Sequence, residues 1–176
     1  MRHWQGTGVT NVQIIDATDA HAAGITTIFN HAVRNTFSIW SETETTVELR
    51  RAWMAARRQA GFPVLAAVDA RETDRVLGYG SFGVFRDFPG YVKTVEHSVY
   101  VASDAQRRGI GAAILDTLVL RARAMGMDTM VGAVDSANAA SIALHEKAGF
   151  ELQGTLKGVG RKFGKRLDLA FLVKAL

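Results

Sequence analysis

Apolar residues along this chain follow two different spacings, which divide it into predicted strands and predicted helices. Short β-branched or alternating runs predict seven strands, at residues 12–15, 62–68, 76–85, 94–101, 129–134, 150–155 and 167–173. Four other segments repeat apolar residues every three or four positions and predict helices, which begin at Asp19, Thr45, Gly109 and Asn138. No linker or internal repeat interrupts this order. We therefore expect one α/β domain over residues 12–176, in which a mixed sheet carries helices on both faces.

Local signals predict where several of these elements begin and end. Asp19 is expected to cap the first helix, and Thr45 and Glu48 have the spacing of a capping box for the second. Residues 34–40 follow neither spacing and are predicted to form a loop, and the charged residues 71–75 are predicted to form a turn. Residues 1–11 are polar and contain glycine, so we expect a flexible N-terminal extension.

The composition excludes several classes of function. The 176 residues contain no cysteine, which excludes a disulfide, a thiolate zinc site and a thiol nucleophile. No apolar run approaches the roughly 20 residues of a membrane span, and the first residues lack the apolar core of a signal peptide. The net charge of +4 is spread along the chain without an RNA-binding pattern, and an anionic cofactor explains it equally well. We expect a cytoplasmic protein without a metal, a membrane or a nucleic-acid partner.

One stretch carries the clearest chemistry, an apolar strand that leads into basic residues and glycines. Strand 94–101 is followed by Gln106-Arg107-Arg108-Gly109-Ile110-Gly111-Ala112, in which the two glycines open a helix. The free N–H groups of a helix N-terminus, with two arginines beside them, favour phosphate. A dinucleotide fingerprint needs a third glycine, but Ala112-Ala113-Ile114 follows Gly111, and no Gly-Lys-Ser/Thr of a P-loop occurs. We therefore expect a pyrophosphate site of another kind.

The spacing Gln106-x-x-Gly109-x-Gly111, together with the Asn-led helix that ends in Gly149-Phe150, resembles the GNAT superfamily of N-acetyltransferases. The resemblance implies a mixed, mostly antiparallel twisted sheet and acetyl-CoA as co-substrate. In that superfamily the loop and the helix N-terminus hold the pyrophosphate, and the preceding strand pairs with the pantetheine arm. The cofactor-binding residues implied here are Val99, Tyr100, Val101, Gln106, Arg107, Arg108, Gly109, Ile110, Gly111, Ala112 and Asn138.

Several segments resemble one branch of that superfamily, the phosphinothricin and methionine sulfoximine acetyltransferases. They are residues 29–33, 39–40, 61–64, 94–101, 138–145 and 160–164. The branch implies direct acetyl transfer in a ternary complex to the amino group of a small amino-acid-like substrate. It also implies a homodimer, for which the apolar final strand offers an edge. Two departures bear on the substrate: Arg166 stands where the branch usually has tryptophan, and Gly83-Val84-Phe85 also differs.

Glu96 and His145 are the candidate catalytic residues. A carboxylate in a β-branched strand is costly to bury alone, so Glu96 is either a salt-bridged core acid or a general base for the substrate ammonium. The branch has a glutamate here, which implies the base. His145 stands where many acetyltransferases carry the tyrosine that protonates the departing thiolate, and it is either that acid or a structural histidine. His97 alternates to the face opposite Glu96, so we interpret it as structural or as supporting the substrate-binding residues.

The predicted substrate-binding set combines a loop arginine with aromatic residues. In the resembling branch an arginine at the position of Arg86 meets the substrate carboxylate, although most loop arginines are only solvated. Phe37, Ile39 and Trp40 either form an apolar wall around the substrate or plug the rim of the core. The full predicted set is Phe37, Trp40, Arg86, Asp87, Phe88, Glu96, His97 and Ser98.

Two other functions stay open from the sequence. The first is acetylation of a protein N-terminus, a lysine or a polyamine instead of a free amino acid. The second is a non-catalytic acyl-CoA sensor with the same fold. The joint presence of Glu96, Arg86 and His145 argues against the sensor.

Overall fold

The structure is a computed structural model that describes residues 11–176, so the predicted extension up to residue 10 lies outside the described residues. The described part contains seven strands: β1 (Val12–Asp16), β2 (Val64–Asp69), β3 (Glu72–Val84), β4 (Thr94–Val101), β5 (Thr129–Asp135), β6 (Glu151–Lys162) and β7 (Lys165–Ala175). Its α-helices are α1 (Ala22–Asn35), α2 (Val47–Gln59), α3 (Ile110–Ala124) and α4 (Ala139–Lys147). No helix among these residues is long and apolar enough to cross a membrane.

The seven strands form one mixed sheet in the order β1-β2-β3-β4-β5-β7-β6. The β4–β5 pair is parallel, and the other neighbouring pairs are antiparallel. Helix α3 packs on one face through Ile110, Ile114 and Leu118, and α1 and α2 cover the other face through residues such as Ile25 and Met54. The predicted mixed, mostly antiparallel sheet with helices on both faces is confirmed.

The parallel pair at the centre of the sheet is short. Its register runs from Thr94 opposite Thr129 to His97 opposite Gly132, and the pairing then stops although both strands continue. Since β4 remains paired with β3 up to Val101, it is the β5 side of the strand that opens. This separation creates a cleft between two strands inside the sheet.

The N-caps predicted for the first two helices, Asp19 and Thr45, are both wrong, because His21 precedes α1 and Thr46 precedes α2. A 3₁₀ turn of residues Asp19–His21 precedes α1, and Thr18 precedes that turn with its backbone N–H 2.9 Å from Nδ1 of His21. Thr46 caps α2 by accepting a hydrogen bond from the Leu49 N–H at 3.2 Å. Thr45 is held elsewhere, because its backbone N–H and C=O both bond to the Asn30 side chain at 2.9 Å. A long-range contact has therefore decided which threonine caps the helix.

Several helices and strands also begin or end at other residues than predicted. Helix α1 continues to Asn35, and β3 begins at Glu72, so parts of the predicted loop 34–40 and of the predicted turn 71–75 are regular structure. The hairpin of β6 and β7 reaches Lys162 and Lys165, well beyond the predicted ends. The expectation that the final strand forms an edge is wrong, because β7 lies between β5 and β6. Strand β6 forms that edge of the sheet instead, and β1 forms the opposite edge.

The tip of the β6–β7 hairpin holds the loop that follows α1. Lys162 is 1% exposed, and its Nζ donates to the carbonyl oxygens of Thr36 at 2.6 Å and Ile39 at 2.7 Å. These bonds satisfy the carbonyl of Thr36 at the C-terminal end of α1, where the helix itself provides no donor, and the carbonyl of Ile39 in the loop that follows. The Phe163 N–H donates to Glu42 at 2.8 Å, which fixes the far end of the same loop.

Replacing Lys162 with methionine should therefore destabilise the protein. Two buried carbonyls would lose a charged donor, and we expect the free energy of unfolding to fall by about 3 kcal/mol. Urea denaturation followed by tryptophan fluorescence measures the change. The matched control is Lys157→Met, which breaks an exposed ion pair with Asp168 and should cost less than about 1 kcal/mol. An effect of Lys162→Met no larger than that of the control would contradict this role.

Candidate active site

The cleft between β4 and β5 is the candidate active site. It has a volume of about 670 Å³ and is lined by β4, β5, α1, the start of α3 and α4. Within the described residues, no group of three or more acidic or histidine side chains is placed to hold a metal ion. The cleft is lined by backbone edges, an arginine and histidines.

One wall of the cleft is an unpaired strand edge. Val99, Tyr100 and Val101 lie beyond the last β4–β5 pair and line the cleft, opposite residues 133–135 of β5. On its other side, β4 is fully paired with β3. The unpaired edge presents backbone donors and acceptors that an extended amide-containing ligand can complete as an added strand.

The start of α3 forms the second wall. Gly109 caps the helix with a φ of 76°, and Arg107 also has a positive φ of 59°, so the chain turns tightly into the helix. Since the first helical bond runs from the Ala113 N–H to the Gly109 carbonyl, the N–H groups of residues 110–112 have no acceptor within the helix. Of the predicted residues 106–112, the structure brings all but Arg108 to the cleft. This arrangement suits an anion.

Asn138 lies at the opposite wall, at the start of α4. Its side-chain oxygen accepts a hydrogen bond from the Ser141 N–H at 3.1 Å, so it caps the helix while it lines the cleft. A ligand in the cleft thus lies between the ends of two helices. The residues of α1 that close the cleft, Ile28, His31 and Ala32, were missed by the sequence analysis because their helical spacing indicated only a core face.

His97 and His145 form a buried pair at the bottom of the cleft. Their Nε2 atoms are 3.2 Å apart and the rings stack, with Phe150 edge-on against both. Gly132 lies beneath them, where a Cβ atom would come within 2.7 Å of Nε2 of His145. The predicted position of His97 on the face opposite Glu96 is confirmed, and the structure also places His145 on that opposite face.

Hydrogen bonds assign the protons of this pair. Nδ1 of His145 lies 2.6 Å from the Ser141 carbonyl and must carry a hydrogen, because a carbonyl only accepts. Nε2 of His145 is then the acceptor for Nε2–H of His97. Burial, followed by the proximity of His145, lowers the pKa of His97 to about 3, and burial also lowers the pKa of His145. Both imidazoles are therefore neutral near neutral pH.

Glu96 lies on the other face of β4, where it is half-buried beneath α2. Burial raises the pKa of its carboxyl group, and the guanidinium groups of Arg86 and Arg57 oppose that rise. No ion pair within 4 Å links Glu96 to either arginine among the described side chains. The carboxylate thus keeps its hydrogen-bonding capacity, which distinguishes it from a salt-bridged core acid.

Of the other predicted substrate residues, Ser98 lines the cleft. Glu96 itself is not among the cleft residues, and neither are Arg86, Asp87 and Phe88, which occupy the exposed loop after β3; the charge of Arg86 acts on Glu96. Phe37 and Trp40 are not among the cleft residues. Phe37 packs against the Phe163 ring at 5.6 Å, and Trp40 lies on Gly160, where a Cβ would be 2.9 Å from Cδ2 of the indole. Thr36 and Ser38 of the same loop line the cleft in their place.

Arg57 is a site residue that the sequence analysis missed. It is one of four arginines on α2, and it lies three and four residues after Met54 and Trp53, so helical spacing places it on the face that packs on the sheet, unlike the exposed Arg51 and Arg58. Only the pairing of Gly83 with Glu96 across β3 and β4 brings it to the carboxylate.

Comparison with known proteins finds acetyltransferases that match nearly the whole chain. The chain is 48% identical over 162 residues to an L-methionine sulfoximine/L-methionine sulfone acetyltransferase from Pseudomonas paraeruginosa, covering 92% of this chain and 93% of that protein. It is 33% identical to a phosphinothricin N-acetyltransferase from Streptomyces coelicolor, over 96% and 99% of the two chains. A phosphinothricin acetyltransferase from Sinorhizobium meliloti, solved in complex with acetyl-CoA, matches with a TM-score of 0.90 and 35% identity, over 95% and 89% of the two chains. The resemblance to this branch is confirmed.

The model of the acetyltransferase (GNAT) family matches residues 25–150, which include the strand β4, the glycine-led start of α3 and all of α4. Together with these relatives, the match shows that the chain belongs to the acetyltransferase (GNAT) family.

Proposed function

We propose that the protein transfers an acetyl group from acetyl-CoA to the amino group of a small amino acid, of the methionine sulfoximine, methionine sulfone or phosphinothricin type. The observation that carries the proposal is the half-buried Glu96, unpaired but flanked by Arg86 and Arg57, at the point where β4 leaves β5. The 48% identity to a methionine sulfoximine/sulfone acetyltransferase over nearly the whole chain supports this substrate class.

The residues around the cleft fit acetyl-CoA, which supplies an acetyl group activated as a thioester. The N–H groups of residues 110–112, with Arg107 and Gln106 beside them, would bind its pyrophosphate. The open edge at Val99 to Val101 would bind the pantetheine arm through backbone hydrogen bonds. An N–H group of the same edge would polarise the thioester carbonyl. No cysteine is available for a covalent intermediate, which favours direct transfer in a ternary complex.

Glu96 is the general base of this proposal. The substrate amine enters as an ammonium ion and must lose a proton before its nitrogen can attack. Glu96, directly or through water, takes that proton, and burial gives its carboxyl group a higher pKa and hence greater basicity than an exposed glutamate. Arg86 in the exposed loop would hold the substrate carboxylate with its two-donor guanidinium.

The charge of this site bears on the alternative substrates. One carboxylate and two guanidinium groups leave a net positive charge around Glu96. A zwitterionic amino acid brings its own carboxylate to offset that charge. A polyamine or a lysine side chain brings only more positive charge, so we favour the free amino acid over both.

The hydrogen bonds of His145 bear on whether it acts as the general acid or has a structural role. As an acid for the departing thiolate it would have to release a proton from Nε2. In the neutral pair that atom accepts a hydrogen bond from His97, and the proton of His145 lies on Nδ1 toward Ser141. This arrangement favours the structural alternative, in which the two histidines hold the base of the cleft.

We also propose that the protein is a cytoplasmic homodimer. Its acetyl transfer would serve to detoxify amino-acid analogues. The dimer is supported by the apolar side chains exposed on the edge strand β6, namely Leu152, Leu156 and Val159, which are 52%, 48% and 57% exposed. Scattered exposed apolar residues are common, but three on one free edge favour association with a second copy.

A thiol-release assay with acetyl-CoA and a panel of amines tests the substrate class. We expect turnover of methionine sulfoximine, methionine sulfone or phosphinothricin, and kcat/KM for spermine and lysine peptides lower by at least about 100-fold, which corresponds to about 2.7 kcal/mol. Turnover of spermine or lysine peptides with none of the amino-acid analogues would overturn the proposal. Acetyl-CoA binding without thiol release from any amine would favour the sensor.

Replacing Glu96 with glutamine should depress turnover by about 100-fold or more near neutral pH, because a glutamine cannot accept the amine proton. The pH optimum should also move upward, since a larger share of the substrate is then deprotonated by the solvent. The measurement is kcat/KM against pH. Glu151→Gln, at an exposed position on β6, is the matched control. An unchanged pH profile in the Glu96 variant would remove Glu96 as the base.

Replacing His145 with asparagine separates its two roles. If the histidine is structural, kcat should fall by less than about tenfold and the alkaline limb of the pH profile should stay in place, because a general acid contributes about 100-fold or more. Steady-state rates between pH 6 and 10 measure both quantities. Loss of the alkaline limb together with a drop of 100-fold would establish His145 as the acid.

A further inference from the structure

Gly83, near the end of β3, lies beneath the guanidinium of Arg57. A Cβ atom at this position would overlap Nη1 of Arg57 and would lie 2.6 Å from its Cζ. The backbone of Gly83 does not have a positive φ, so its conformation does not require glycine. The missing side chain instead leaves space that the guanidinium fills.

The sheet register places that space beside Glu96. Gly83 and Glu96 are direct partners in the antiparallel β3–β4 pair. The Cβ positions of such partners lie about 5 Å apart on the same face of the sheet. The Arg57 guanidinium therefore occupies the position that a cross-strand neighbour of Glu96 would have, although it comes from a helix and not from a strand.

Arg57 lies between Trp53 of its own helix and the sheet. Its helix α2 packs on the same face of the sheet, and its guanidinium lies 6.0 Å from the centre of the Trp53 ring. Burial lowers the pKa of Arg57, and the proximity of Glu96 opposes this effect. The two groups thus stabilise each other's charged form. The neighbouring Arg58 points elsewhere, to Asp19 at 3.0 Å.

We propose that Arg57 is a positioning residue for the acetyl transfer: seated above Gly83, its guanidinium charge keeps Glu96 ionised, so that the carboxylate can act as the base. This inference rests on the proposed role of Glu96. Arg86 on the loop after β3 and Tyr100 on β4 are the other ionisable groups whose charge reaches Glu96. Arg86 lies on the exposed side and remains available for the substrate carboxylate, whereas Arg57 lies on the α2 side and serves the base.

The first experiment replaces Arg57 with methionine and titrates Glu96 directly. Carbon-13 NMR of the glutamate carboxyl groups, with the signal assigned through Glu96→Gln, should show the pKa of Glu96 rising by about one unit when the positive charge is removed. The acidic limb of kcat/KM should move to higher pH by the same amount, because the base must be ionised to act. Arg51→Met, an exposed position on the same helix, should change neither quantity.

A second variant displaces Arg57 without removing it. In Gly83→Ala the new methyl group meets only the mobile end of the arginine side chain, so the strand itself is preserved. We expect the pKa of Glu96 and the acidic limb of kcat/KM to move to higher pH, as in Arg57→Met. In the variant that carries both substitutions, neither quantity should move further than in the single variants. Arg57→Lys should raise the pKa of Glu96 less than Arg57→Met does, since lysine retains the positive charge on a shorter side chain.

The outcomes separate this inference from the role of Glu96. An unchanged Glu96 titration in Arg57→Met, or additive shifts in the double variant, would overturn the coupling between Arg57, Gly83 and Glu96. If the pKa of Glu96 measured by NMR changes but the pH profile of kcat/KM does not, Arg57 and Glu96 are coupled and Glu96 is not the base. In that case both the positioning role and the proposed catalytic role of Glu96 would be overturned.

Discussion

The site depends on one interruption in the hydrogen bonding of the sheet. Strands β4 and β5 pair from Thr94 to His97 and then separate, and the cleft, its open backbone edge and its two helix ends all follow from that break. The histidine pair lies at the point of separation. Since the rings of His97 and His145 pack over Gly132, a larger residue at that position would force them apart. The fold thus places the buried imidazoles over the last residue pair of the β4–β5 ladder, next to the point where the strands separate.

Strand alternation then divides the chemistry of β4 between the two faces of the sheet. Glu96 faces α2 and the arginines, and His97 faces α4 and the buried end of the cleft. Because successive side chains alternate, the proposed base and a buried histidine can be neighbours in sequence without contact between their side chains. The backbone beyond them, from Val99 to Val101, presents the open edge proposed for the cofactor. One strand therefore contributes two different faces and an open edge to the site.

Much of this arrangement could be predicted from the sequence because it is local. The strand that leads into Gly109 and Gly111, the alternation of Glu96 and His97, and the Asn138 cap all follow from spacing within a few residues. The features that escaped prediction depend on contacts between distant segments. Thr46 caps α2 because Asn30 holds Thr45, and Lys162 is buried because the carbonyls of Thr36 and Ile39 surround its ammonium group. Arg57 belongs to the same class, since only the β3–β4 register gives it a role.

The two sequence departures from the phosphinothricin and methionine sulfoximine branch lie at different distances from the candidate site. Arg166 lies on the β6–β7 hairpin with its guanidinium over Gly158, and it does not line the cleft. Val84 and Phe85 directly precede Arg86, and Phe85 packs against Tyr91 at 5.5 Å within the exposed loop that carries that arginine. A change there alters how the loop presents Arg86, the residue proposed to bind the substrate carboxylate. The same departure includes Gly83, whose missing side chain leaves the space that Arg57 fills beside Glu96. Any substrate difference from the branch can therefore arise both at the rim of the site and in the surroundings of the proposed base.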